Sequence, residues 1–206
     1  MYDLESVVPD LTVDRGTNVL VAGPPLAGKR QVAYGILTSG AARGDGSVIV
    51  ATKDGAKKVL SNFDDVPDEV PVGVVDCVTK QRGLGTIDDD PRVKYASSPV
   101  DMTGIGINLS EFLQEFYEGR GVIENRVLMD SVSTLLMYSN LQTVFRFLHV
   151  FTGRIQGADA LGIYTLDSTA HDTQEMNTLK QLFDGYIEVE PGEDDAPQVR
   201  TAGLSS

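Results

Sequence analysis

The chain carries one cysteine, Cys77, and no tryptophan. A lone thiol makes no internal disulfide, and with only two histidines beside it no Cys/His metal cluster is visible. No apolar run approaches 18 residues, so no transmembrane helix is expected. The opening MYDLESVVPD lacks a basic region followed by an apolar stretch, so no signal peptide is expected and a cytoplasmic location is the default. Positive charge is also scarce, with 17 Lys and Arg against 30 Asp and Glu, a net charge of −13. An acidic surface repels phosphate backbones, which argues against nucleic-acid binding. It reads instead as a solvated surface of the kind suited to high internal salt, with an acidic surface made for a basic partner as the alternative.

What is present is enough for a core. Of 206 residues, 41% are hydrophobic, and the length suits one α/β domain over 1–206. Short apolar runs at 18–22, 47–51, 72–78, 126–130 and 161–166 read as strands. Helical spacing is expected at 28–39, 56–63, 105–117, 141–155 and 177–183. The alternation implies a mainly parallel central sheet flanked by helices on both faces. Segments 186–189 and 198–201 suggest a closing C-terminal β-hairpin around 191–195. The polar stretch 80–104, with Asp88, Asp89 and Asp90, is expected to be a long loop with a brief strand at 93–96. Residues 203–206 read as a loose end.

Between the first strand and first helix lies Gly23, Pro24, Pro25, Leu26, Ala27, Gly28, Lys29, Arg30. The phosphate-loop pattern G-x-x-x-x-G-K-[ST] is met at Gly23, Gly28 and Lys29 and broken at the last position. Glycines let backbone N–H groups converge on phosphate oxygens, and a helix N-terminus adds partial positive charge. Lys29 would reach the outer phosphates. The missing hydroxyl is the one that holds Mg²⁺, and Arg30 stands in its place. Arg30 admits three readings. It faces solvent or a neighbouring acid, it fills the metal's space and neutralises phosphate itself, or it blocks the pocket.

Other positions fit this frame. Asp130 ends an apolar strand, as a Walker B aspartate holding Mg²⁺ through water does, or else caps the turn that follows. Asp54, after the second strand, suits either a base for water or a helix cap. Thr165, at the end of the fifth strand, is placed to sense a terminal phosphate. His171 and Asp172 lie in a loop with no Ser or Cys nucleophile motif beside them. His149 reads as structural, and Cys77 as a buried, inert thiol.

The ordered loop, Asp-terminated strand and closing hairpin resemble the RecA superfamily, most closely the KaiC-like ATPases of archaea. SSPVDMTGIGINLSEFL (97–113), RVLMDSVSTLLMYSN (126–140), LHVFTGRIQGADALGIYTLDSTAHD (148–172) and TLKQLFDGYIEVE (178–190) look like haloarchaeal members. The resemblance implies ATP or ADP as ligand, Lys29 as the phosphate lysine, and Asp130 as the metal aspartate. It also implies a homo-oligomer or pairing with a paralogous subunit. The family's paired glutamates fall on Lys53 and Asp54, and its intersubunit basic residue matches Arg200 uncertainly.

These departures fall on metal handling and water activation. The expected function is therefore regulatory or scaffolding, a degenerate ATPase that binds nucleotide with little or no hydrolysis. Phosphates would order the loop and the 80–104 segment and so change a partner surface. The alternatives are a working ATPase, with Asp54 as base and Mg²⁺ on Asp130, and a recombinase-like DNA-repair accessory.

Overall fold

The computed structural model describes residues 1–83, 87, 89–192 and 196–204. Asp88, residues 193–195 of the expected hairpin loop and residues 205–206 of the expected loose end lie outside the described residues. A small ribbon, β1 (Tyr2–Asp3) with β2 (Thr12–Val13), precedes the main sheet. The rest alternates in chain order. β3 (Asn18–Gly23) leads to α1 (Lys29–Ala41), β4 (Gly46–Ala51) to α2 (Ala56–Leu60), and β5 (Val72–Asp76) to α3 (Thr79–Arg82). β6 (Val93–Tyr95) and α4 (Met102–Arg120) follow, then β7 (Asn125–Asp130), α5 (Val132–Tyr138) and α6 (Leu141–Gly157). β8 (Leu161–Asp167), α7 (Thr173–Lys180), β9 (Gly185–Glu190) and β10 (Gln198–Ala202) complete the chain. Eight strands form one sheet in the order β10-β9-β3-β8-β7-β4-β5-β6, parallel except for the β9–β10 hairpin.

The apolar runs become strands because both faces of the sheet are covered. Val19 and Val21 pack toward α1 with Ile36 and Leu37, while Leu20, between them, joins Phe151 and Leu148 of α6 on the other side. Ile49 and Val48 divide the same way. α6 buries Val144, Leu148, Phe151 and Ile155, a stripe at helical spacing. Cys77 is buried in this core, and burial pushes its thiol up, out of the range where a thiolate would form. Among the described residues no helix is long and apolar enough to cross a membrane.

Several boundaries differ from expectation. The brief strand expected within 80–104 is present as the edge strand β6, but α3 extends into the start of that stretch and α4 begins inside its end, at Met102. The early start follows from Asp101, whose side chain accepts the Gly104 N–H and caps α4. α5 was not anticipated, and Ser131 caps it. α7 starts at Thr173 rather than 177, because Asp172 and Glu175 form a reciprocal capping box.

Candidate functional site

Register decides which side chains meet at the carboxyl edge of the sheet. β3 lies beside β8 with Gly23 opposite Asp167, and β4 beside β7 with Ala51 opposite Asp130. The turn 24–28 leaves β3 at this edge, where open α/β sheets take their ligands. Gly28 sits at φ +89°, a left-handed conformation that favours glycine, and a Cβ there would lie 3.0 Å from Pro197 Cβ. The start of β10 is thus seated on the turn. Leu26 is also left-handed, at φ +64°, and its side chain is fully exposed at the turn's tip.

Every cation here has an internal carboxylate. Lys29, buried, pairs with Asp167 Oδ1 and donates to the Pro24 carbonyl at 3.0 Å. Lys53 approaches the other Asp167 oxygen at 3.9 Å. Arg30 donates from Nε to Asp130 Oδ2 at 2.8 Å and pairs through Nη1 with Asp54 Oδ2 at 2.9 Å. Its guanidinium carbon lies 5.6 Å from the Tyr34 ring centre. Of the three readings, Arg30 takes the neighbouring-acid one, and it bridges two acids rather than one.

The arrangement shows in proton affinities. Burial works against the Arg30 charge, but Asp130, Tyr34 and Asp54 outweigh it and hold the guanidinium more firmly protonated than an ordinary arginine. Burial pushes the Tyr34 hydroxyl up to about 12, with Asp130 adding to the shift. For Asp54, burial raises the pKa, but hydrogen bonds from Lys58 and Arg30 prevail and hold its carboxyl below the usual value. Lys58 donates to Asp54 Oδ1 at 2.9 Å.

The remaining anticipated residues fall as follows. Asp130 is buried, and its second oxygen accepts the Thr165 hydroxyl at 3.0 Å. Thr165, itself buried, faces Asp130 in this way. The Asp130 carbonyl accepts the Thr52 hydroxyl at 2.8 Å, while the capping of α5 belongs to Ser131. Asp54 does not cap α2, whose first N–H, from Ala56, goes to Asp76 Oδ2 at 2.7 Å. Arg200 is exposed on β10, 3.7 Å from Glu190. His149 lies on α6.

His171 has a partner that sequence spacing did not reveal. Its Nε2 lies 2.9 Å from Ser133 Oγ, and Ser133 Oγ accepts the Asp167 N–H at 2.9 Å. The two residues are 38 apart in sequence and meet because both follow the ends of neighbouring strands, β7 and β8.

The mostly parallel sheet, its flanking helices and the C-terminal hairpin give a KaiC/RecA-like α/β fold. Over residues 16–189 the chain matches the model of a family of unknown function, DUF7504, and it belongs to that family. Its fold is similar to that of the KaiC-like protein PH0186 from Pyrococcus horikoshii OT3, with a TM-score of 0.56 and 14% identity over 98% of this chain and 82% of that one. It is also similar to the uncharacterized protein PH0321 from Pyrococcus horikoshii, solved in complex with an unknown peptide. There the TM-score is 0.62 and identity 11% over 97% of each chain. No curated protein matches the sequence.

Proposed function

We propose that the chain is a cytoplasmic regulatory or scaffolding protein whose phosphate loop takes ATP or ADP without a metal ion and does not hydrolyse it. The observation that carries this reading is Arg30 standing between Asp130 and Asp54 at 2.8 and 2.9 Å. In an ATPase the Walker B acid holds the metal and a second group orients the attacking water. Here one guanidinium pairs with both candidate acids. Mg²⁺ does not fit this donor set: the position that should offer a hydroxyl offers a cation. Among the described residues no group of three or more His, Cys, Asp and Glu is placed for a metal.

Phosphate fits better. Gly28 is the left-handed residue before α1, which has no acidic residue in its first turn and no side-chain cap, so backbone N–H groups remain there for an anion. Lys29 is buried beside them, and a polyphosphate competes with Asp167 for it. Lys53 stands within 3.9 Å to take up Asp167 as Lys29 turns. Nucleotide thereby replaces one ion pair with another, and the ends of β3 and β8 carry the change to a partner surface. Self-association, or pairing with a paralogous subunit, supplies that surface. The acidic composition disfavours the DNA-repair alternative.

The test is an ATP and ADP titration with Mg²⁺ and with EDTA, on the wild type and on Lys29→Ala, beside a phosphate-release assay. Binding equal in both media, lost in Lys29→Ala and accompanied by background turnover, is the expected result. Mg²⁺-dependent turnover abolished by Asp54→Ala would establish the working ATPase instead.

A further inference from the structure

A second site opens on the far side of Asp167, and it stands apart from the nucleotide reading. A cavity of about 470 Å³ is bounded by α5, the start of α6 and the segment after β8, and Ser133, His171 and Glu175 all contribute to its lining. Ser133 Oγ is 2.9 Å from His171 Nε2, and His171 Nδ1 is 3.6 Å from Glu175 Oε2. This is a hydroxyl, an imidazole within hydrogen-bond reach, and a carboxylate on the far ring nitrogen.

The hydrogen bonds accommodate the tautomer that such a set requires. Ser133 Oγ accepts the Asp167 N–H through one lone pair, and its own hydrogen is available to His171 Nε2. With Nε2 as the acceptor, the ring hydrogen sits on Nδ1, facing Glu175. Glu175 is itself held: Oε2 accepts the Asp172 N–H, and the Asp172 side chain accepts the Glu175 N–H at 2.8 Å, closing the capping box of α7. The third group is therefore fixed by a helix start rather than free on the surface.

We infer that Ser133, His171 and Glu175 form a nucleophilic triad that cleaves a neutral, short-chain carboxylic ester. Leu136, Met137 and Leu141 supply apolar lining for a small acyl group. Asp167 and Glu175 in the same lining disfavour an anionic one. Ser133 Oγ attacks the carbonyl carbon, and its proton passes to His171 Nε2. The C–O bond to the alcohol breaks, Nε2 returns the proton to the departing alkoxide, and the acyl group stays on Ser133. Water then attacks the acyl carbon, its proton passing through Nε2 to Ser133 Oγ, and the carboxylic acid leaves. Asn140 caps α6 through Oδ1, so its Nδ2 hydrogens are the side-chain amide donors in the lining for the oxyanion.

The wild-type protein is incubated with a fluorophosphonate probe and read by intact and peptide mass spectrometry, alongside p-nitrophenyl acetate and butyrate hydrolysis. The expected result is one adduct, on the peptide containing Ser133, with fluoride displaced. Hydrolysis falls at least 100-fold in Ser133→Ala and His171→Gln and about 10-fold in Glu175→Gln. An unlabelled folded wild type, an adduct on another residue, or hydrolysis that persists in Ser133→Ala overturns the proposal. The wild-type labelling decides the matter even if a variant fails to fold. In that outcome the three residues only brace β8 against α5.

Discussion

Two arginines reach carboxylates at opposite ends of the sheet, and they differ in what surrounds them. Arg126, near the amino end of β7, is 1% exposed. It donates to Asp45 at 2.8 Å, to the Ile36 carbonyl at 2.8 Å and to the Asp3 carbonyl at 3.0 Å, with its guanidinium carbon 5.6 Å from the Tyr2 ring centre. Gly40 leaves room for it, since any Cβ there would collide with the guanidinium. Arg30 holds two acids but no carbonyl, and its side chain remains 38% exposed. The first is locked by neutral acceptors and packing that nothing else can supply. The second is held by two carboxylates and the Tyr34 ring, at a half-exposed position that solvent and ligands can reach. A buried ion pair with satisfied donors specifies structure, whereas a half-exposed bridge between acids can be exchanged.

Arg126 carries the largest expected effect. Arg126→Met keeps much of the volume but leaves Asp45 buried without its cation, together with two carbonyls. We expect a loss of about 3–5 kcal/mol in denaturant unfolding, or failure to fold. A loss no larger than that of Arg30→Met would place the two arginines in one class.

Arg30→Met is expected to cost less, about 2 kcal/mol, because solvent reaches the cluster and Asp54 keeps Lys58. Most of that cost comes from Asp130, which is buried, and adding Asp130→Asn should recover part of it. The sharper form is Arg30→Thr, which returns the hydroxyl and removes the cation together. Mg²⁺ should then raise the thermal midpoint of the variant by a few degrees and strengthen its ATP binding. The wild type should respond to neither. An equal response in both would show that the Arg30 bridge does not govern metal access.

The same contrast explains what was legible in the sequence. Strands β3, β4, β5, β7 and β8 stood out because covering on both faces demands unbroken apolar runs. α5 did not, because its first turn carries β-branched Val132 and Thr134 and its helicity comes from the Ser131 cap and packing on β8. β1 and β2 are two residues each, too short to show a period. At the site, the turn was legible as a motif, but the aim of Arg30 was not. Its direction depends on Asp130 lying opposite Ala51, a fact of register between strands some 80 positions apart in sequence. Ser133 and His171 stayed hidden for the same reason: their meeting is a property of the β7–β8 pair, not of spacing along the chain.

The smallest effect tests how lightly Asp54 is held. Hydrogen bonds from Lys58 and Arg30 overcome the opposing effect of burial and place its folded pKa below the unfolded one. Its contribution is therefore complete above the unfolded value, near 4, and disappears as pH falls through the lower folded value. Arg30 and Lys58 stay charged across that window, so the carboxylate alone titrates. With solvent screening, wild type should exceed Asp54→Asn by only about 0.5 kcal/mol at pH 7. That gap should narrow once the pH drops below about 4, measured as the difference in unfolding free energy of the two proteins. A gap that persists at pH 2 would mean that Asp54 acts through shape rather than charge. The bridge would then belong with Arg126, as part of the frame instead of an exchangeable cation.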